Sequence, residues 1–290
     1  MRKPASPLKT PPFPERGFTL VELSMVMMIV GLLIGGILKG QEMIANSRAT
    51  AVIAQVRSYE AAIATFKDVN DAWPGDLATA AERIPGCNEN CTPFIDGRSN
   101  DIIGRANWAD DWETQTDGTA HAPAASEQDE TVLFWTHLML SGLIGGVNTK
   151  WLYSDTPASI AWNETHPATP SGGGYVVGYG SGLRLPGDPT PPPSPGNPAS
   201  GPNGIMLMVV STPDMGSATA MTEPGKQPFN ASMAARIDDK IDDGLPHSGN
   251  VMAYGYSQTC FGSTGSDTPP AYKGGISGSY DCGLTFLIGK

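Results

Sequence analysis

The sequence predicts an α+β chain: a long N-terminal helix, membrane-spanning in its first half, packed in its second half on an antiparallel β-sheet head with large loops. Three observations carry this. Residues 18–38 form an apolar run of 21 residues with one ionisable side chain, Glu22. No proline interrupts residues 18–73, and Val52, Val56, Tyr59, Ile63 and Phe66 recur within them at spacings of three and four. Later in the chain, short β-rich runs are bounded by Gly, Pro or Asn. Glycine and proline, 35 and 26 of 290 residues, make up about a fifth of the chain, which excludes a compact helical bundle.

Charge separates the two ends. The chain has 18 basic and 29 acidic residues, net −11. Arg2, Lys3, Lys9 and Arg16 face only Glu15 within the first 17 residues, so 14 basic and 28 acidic groups remain for the rest. So acidic a body lacks the clustered Lys and Arg that displace counterions from phosphate backbones, so nucleic acid is not an expected partner.

As a helix, residues 18–38 cover about 30 Å, the hydrocarbon thickness of a bilayer. Basic residues before the run place the N-terminus in the cytoplasm and everything after residue 40 on the far side. A removable secretory signal is the competing reading, with Ala49-Thr50-Ala51 as its small-residue cleavage site. The stretch from Leu38 to Ala51 is long for that and carries Lys39, Glu42 and Arg48. Moreover, a central acidic residue costs about 2.5–3.5 kcal/mol in a membrane helix, and a disposable signal has no use for one. A positive partner at the same depth makes Glu22 tolerable. A cut between Gly17 and Phe18 creates one, because the new α-amino group then begins the apolar run.

The stretch Arg16-Gly17-Phe18-Thr19-Leu20-Val21-Glu22-Leu23 resembles the type III signal of type IV pilins and type II secretion pseudopilins. The resemblance implies a pilin-like fold and a structural role. A prepilin peptidase cuts after Gly17 and methylates the amine of Phe18, and Glu22 guides the stacking of subunits. Residues 1–17 are then a leader, 18–67 the helix with 18–38 in the membrane, and 68–290 an extracytoplasmic head. Implied partners are other pilin or pseudopilin subunits, the peptidase, an inner-membrane assembly platform and membrane lipid before assembly. The resemblance also implies a single-pass protein of a bacterial inner membrane, its head periplasmic or on a surface filament.

One helix of about 50 residues accounts for residues 18–67, lipid-facing first and striped later. Gly31, Gly35, Gly36 and Gly40 allow close helix approach, or simply weaken the helix by about 1 kcal/mol each. Trp73-Pro74-Gly75-Asp76 reads as a type II turn, with Asp76 capping a short helix through Ile84. A second helix is expected over residues 127–141, capped by Ser126 and Asp129, carrying Trp135 and stopped by Gly142. Residues 175–179, 205–210, 250–256 and 284–288 suit antiparallel strands covering the stripe. Eight prolines in residues 185–202 mark an exposed, semi-rigid loop.

A second, scattered resemblance is to a group of proteobacterial prepilin-type proteins. It rests on the helix, turn and strand signature from Ala235 through Pro246 to Val251, the Pro74-Gly75-Asp76 turn, and the Trp135-to-Ile144 segment. In such a head, four cysteines in two local pairs favour disulfides, Cys87 with Cys91 and Cys260 with Cys282. Zinc is the rival ligand, but its usual spacings are absent.

No enzyme and no cofactor is expected. His121, His137, His166 and His247 form no HExxH pattern, Gly172-Gly173-Gly174 is a flexible turn, and His247-Ser248 are mere neighbours. Asp238, Asp239, Asp242 and Asp243 are the best calcium candidates but depart from the EF-hand pattern at Ile241, and solvated helix-end acids are the plainer reading. Asp110, Asp111 and Asp117 form a looser cluster. Length and loops point to a minor or specialised subunit. The alternative function is a membrane-anchored extracytoplasmic binding or adhesion module that never polymerises.

Overall fold

The computed structural model describes residues 17, 19–93, 101, 103, 130–153, 161–181, 203–212, 223–256, 259–262, 271–273 and 279–289. Phe18, the expected caps Ser126 and Asp129, the proline-rich run 185–202, Asp110, Asp111, Asp117 and His121 lie outside the described residues. The chain divides into two compact units, Met1–Ala45 and Asn46–Lys290.

Helix α1 runs Leu20–Asn70, starting two residues later and ending three later than the sequence predicts. In the first unit its described side chains are mostly exposed, Leu20 at 87 % and Leu32 at 73 %. From Ala49 onward the apolar stripe is buried: Ala49, Val52, Val56, Tyr59, Ala62, Ile63 and Phe66. Asp71 ends the helix in the left-handed region, φ 54°. The Lys67 ammonium lies over the Trp73 ring, 3.6 Å from its centroid, and complements the helix's negative end.

The four strands are β1 Gly174–Ser181, β2 Asn203–Val210, β3 Val251–Gly255 and β4 Cys282–Gly289. They form one antiparallel sheet in the order β1-β2-β4-β3. Register places Val177 opposite Leu207, Leu207 opposite Phe286, and Phe286 opposite Val251. These four belong to the same core as the α1 stripe. Residues of the other parity, Val176, Met206, Met208, Val210, Met252 and Tyr254, form a second buried cluster with Trp162 packed against it. Both faces of the sheet are therefore covered, which is why its strands read as continuous apolar runs.

Helix α2 is a single turn, Ala80–Arg83, instead of the longer helix expected to Ile84. Asp76 does not cap it. Its Oδ2 accepts the Asp101 N–H at 2.8 Å. Ile84 is extended because Pro85 follows and disfavours helical geometry before it. Helix α3, Glu130–Leu140, buries nearly every side chain, and Gly142 follows at φ 70°. Trp135 meets Tyr59 edge-on at 5.2 Å, and Tyr59 meets Tyr175 at 5.0 Å. The α1 stripe is thus covered jointly by α3 and the sheet, whereas the sequence assigned it to the sheet alone. Helix α4, Ala231–Ile241, is capped by Asn230, whose side chain accepts the Met233 N–H at 2.8 Å.

Candidate processing and assembly site

The start of α1 is built by a reciprocal cap. The Glu22 carboxylate accepts the Thr19 N–H at 3.0 Å and the Thr19 hydroxyl at 2.9 Å, while Thr19 Oγ1 accepts the Glu22 N–H at 3.2 Å. This is a capping box, two otherwise unpaired helix donors satisfied by one Thr-x-x-Glu pair. The sequence carries that signature in plain view, yet a reading focused on a charged partner for Glu22 misses it. Gly17 is exposed just before the cap. Within the apolar run the Ser24 hydroxyl donates to the Val21 carbonyl at 2.9 Å, so it needs no partner outside the helix. Beyond the run, Lys39 and Glu42 form an exposed ion pair at 2.8 Å. One described helix, Leu20–Asn70, is long and apolar enough to cross a membrane, and its most apolar stretch has no part buried within the protein.

In the head, Cys87 is bonded to Cys91 and Cys260 to Cys282. His137 lies beside the first pair. Its Nδ1 accepts the Gly75 N–H at 2.9 Å, which leaves the proton on Nε2, 2.8 Å from the Cys91 carbonyl it donates to. The ring is fully buried, and burial pushes its pKa down to about 4, against the smaller opposing pull of the Cys91 carbonyl. The Trp73 turn, α3 and the short disulfide loop are thereby tied at one imidazole. With both sulfurs in a disulfide and both ring nitrogens engaged, this trio is a structural joint instead of a zinc site. Gly75 itself sits at φ 88°, with α3 so close that a Cβ would strike the Glu130 carbonyl.

Of the four acids, Asp239 and Asp243 are exposed, as the sequence reading has them, and the correction concerns Asp238, which is buried. Asp242 Oδ2 accepts the N–H groups of Asn250 and Val251. Asp243 accepts the Leu245 N–H and the Ser248 hydroxyl. Asp238 is buried, with Gly244 N–H on Oδ1 and the Tyr272 hydroxyl 2.8 Å from Oδ2. Burial, aided by the charges of Asp243 and Asp242, pushes Asp238 up to about 7 despite the opposing hydrogen bonds. Although carboxylate oxygens of Asp238, Asp242 and Asp243 lie within 4.8 Å of one another, they are committed to closing the loop between α4 and β3.

The described histidines do not converge. His166 lies against Thr165, with Nδ1 2.9 Å from the hydroxyl, and His247 packs edge-on against Phe261 at 4.5 Å. Ser248 turns to Asp243, not to His247, in a hydrogen bond. Gly172 and Gly173, at φ 95° and 80°, form a tight turn into β1, and a Cβ at Gly174 would strike the Trp162 ring. That segment is a turn, as the sequence predicts, and it packs closely at Gly174.

A family model described as the prokaryotic N-terminal methylation motif matches residues 13–38. The chain carries the prepilin-type signal of type IV pilins and pseudopilins. The signal implies processing by prepilin peptidase and assembly with other pilin subunits. It ends at Leu38 and covers the capping box and the exposed apolar run. The long N-terminal helix and four-stranded antiparallel sheet make an α+β, pilin-like layout. No curated protein and no solved structure matches the chain.

Proposed function

We propose that the protein is a prepilin-like structural subunit of a type IV pilus or a type II secretion pseudopilus. Prepilin peptidase cuts after Gly17 and methylates Phe18. Residues 18–38 hold the subunit in the bacterial inner membrane, with the N-terminus cytoplasmic and the head, residues 68–290, on the far side. An inner-membrane platform then draws it into a filament in which apolar helices exchange lipid for one another. Glu22 meets the free amine of a neighbouring subunit and sets axial register, and no catalysis is part of the role.

The observation that carries this reading is the methylation motif at residues 13–38 heading a helix whose most apolar stretch is exposed among the described residues. Mass spectrometry of the purified protein tests it directly. Methylated Phe18 at the mature N-terminus is the expected result, and an intact Met1 or a start after Ala51 refutes it. Glu22→Ala leaves membrane insertion intact and lowers filament incorporation by an order of magnitude or more, about the loss of a desolvated charge pair. Normal incorporation of that variant defeats the register argument.

A further inference from the structure

Strand β4 is held in the head from both sides. It lies between β2 and β3, which pair with it and not with each other. Leu284 and Phe286 enter the main core, and the Thr285 hydroxyl donates to the Met252 carbonyl at 2.9 Å. The Tyr254 ring crosses β4 at Gly283, where a Cβ would strike it, and its hydroxyl donates to the Val209 carbonyl of β2 at 2.6 Å. At the start of the strand, Phe229 and Cys282 exchange both backbone hydrogen bonds at 2.9 Å. All of these residues belong to the one unit Asn46–Lys290.

A strand bound in this way is interchangeable between copies of the chain. Another molecule's β4 offers the same backbone groups, the same Leu284 and Phe286, and the same glycine under Tyr254, so exchange loses no contact. What favours the chain's own strand is proximity. Cys260 and Cys282 are 22 positions apart, a connection that spans up to about 75 Å when extended and so reaches a neighbouring head as well as its own. Such a tether gives an effective concentration in about the millimolar range, a preference that crowding of like chains erodes. The disulfide changes this. Cys282 is the first residue of β4, opposite Gly255 in the register, and it is bonded to Cys260 with both cysteines fully buried. With Cys282 fixed beside its own β3, the strand cannot take up the equivalent place in another head.

We propose that the Cys260–Cys282 disulfide is an exchange lock. Oxidised, it commits each head to its own β4. With the two thiols free, like chains trade β4 and become linked, the partner being a second copy of this chain bound in the slot between β2 and β3. The lock closes by thiol–disulfide exchange: one cysteine thiolate attacks a disulfide oxidant and displaces a thiolate, and the other cysteine then displaces the second. The oxidant takes two electrons, and its two leaving thiolates take the two protons. The inference concerns the head alone and holds wherever the chain is anchored. It adds to the subunit reading that heads must be oxidised before subunits are brought together.

The test uses two full chains in detergent micelles, one carrying Cys260→Ser and the other, isotope-labelled, Cys282→Ser. Neither can close its own lock, but strand exchange sets Cys282 of the first beside Cys260 of the second. The pair is refolded together from urea and oxidised with oxidised glutathione, and bonded peptides are mapped by mass spectrometry. The expected product is a mixed dimer joined by Cys260 and Cys282, rising roughly tenfold as chain concentration rises from about 10 to about 100 µM, both below the tether's effective concentration. The native chain, oxidised before mixing, gives no such dimer. Folded heads, seen as hydrogen-exchange protection of Leu284 and Phe286, with no bond between chains overturn the proposal. So do interchain bonds spread indiscriminately over Cys87 and Cys91, the mark of chance collision. Where the substituted heads do not fold, native light and heavy chains reduced together with dithiothreitol and reoxidised decide the matter. Mixed dimers through Cys260 and Cys282 uphold the lock, and intrachain bonds alone at every concentration overturn it.

Discussion

The first and second halves of α1 use the same backbone conformation to opposite ends. Up to Leu38 the helix shows apolar side chains on nearly every side, and its described residues there are exposed. From Ala49 it buries one stripe at three- and four-residue spacing, and most of the remaining residues are polar or alanine. The second pattern names its partners inside the molecule, Trp135 and Tyr175 among them. The first names a solvent, lipid or a bundle of like helices, because a helix apolar all round has no preferred face toward water. Helix propensity does not explain the first half, since glycines at 31, 35, 36 and 40 sit in it without interrupting it.

The comparison is broken most sharply by Trp135→Ala. It empties the contact between α3 and the stripe and should destabilise the head by about 3–5 kcal/mol, read from chemical denaturation. Membrane partitioning should not change. If the variant loses its anchor as well, the halves are not independent. Next comes acid. Buried His137 and His166 are both held near pKa 4, against about 6.5 when unfolded. The unfolded chain therefore takes up protons first. The stability these two rings contribute is complete above about pH 6.5 and is lost as pH falls toward 4, by up to about 3 kcal/mol for each. Asp238 has the opposite sign: raised to about 7, it favours the fold most below its unfolded value and loses that contribution as pH rises through 7. Melting profiles of Asp238→Asn should accordingly gain on the native chain at pH 8 relative to pH 5. The smallest effect is expected from Leu32→Ala in the first half, within about 0.5 kcal/mol on head stability, since that side chain is 73 % exposed. A larger loss would mean that the apolar run supports the head.

Much of this was legible in the sequence because the signals are local. The α1 periodicity, the Trp73 turn and the four strand positions each depend on a few neighbouring residues, and the structure has them close to where the pattern puts them. The errors share another cause. Asp76 looked like a helix cap, but its partner Asp101 is 25 residues away. Asp238 looked solvated because it sits near a helix end, while the donors that occupy it are the Gly244 N–H and the Tyr272 hydroxyl, 34 residues away. His137 gave no signal of its role, since its two partners lie 62 and 46 residues distant. At the candidate site the order is reversed. Glu22 was singled out at once, but the Thr19 bonds that orient it were overlooked although only three residues separate the pair.

Strand order carries a consequence for how this molecule comes into being. The latest-made of the four strands, β4, is an inner one, seated between β2 and β3. A nascent chain released only as far as residue 281 owns both neighbours and nothing to join them. Closure of the head therefore waits until residues 282–289 have emerged, and a chain halted before them leaves two unzipped edges for proteases to find.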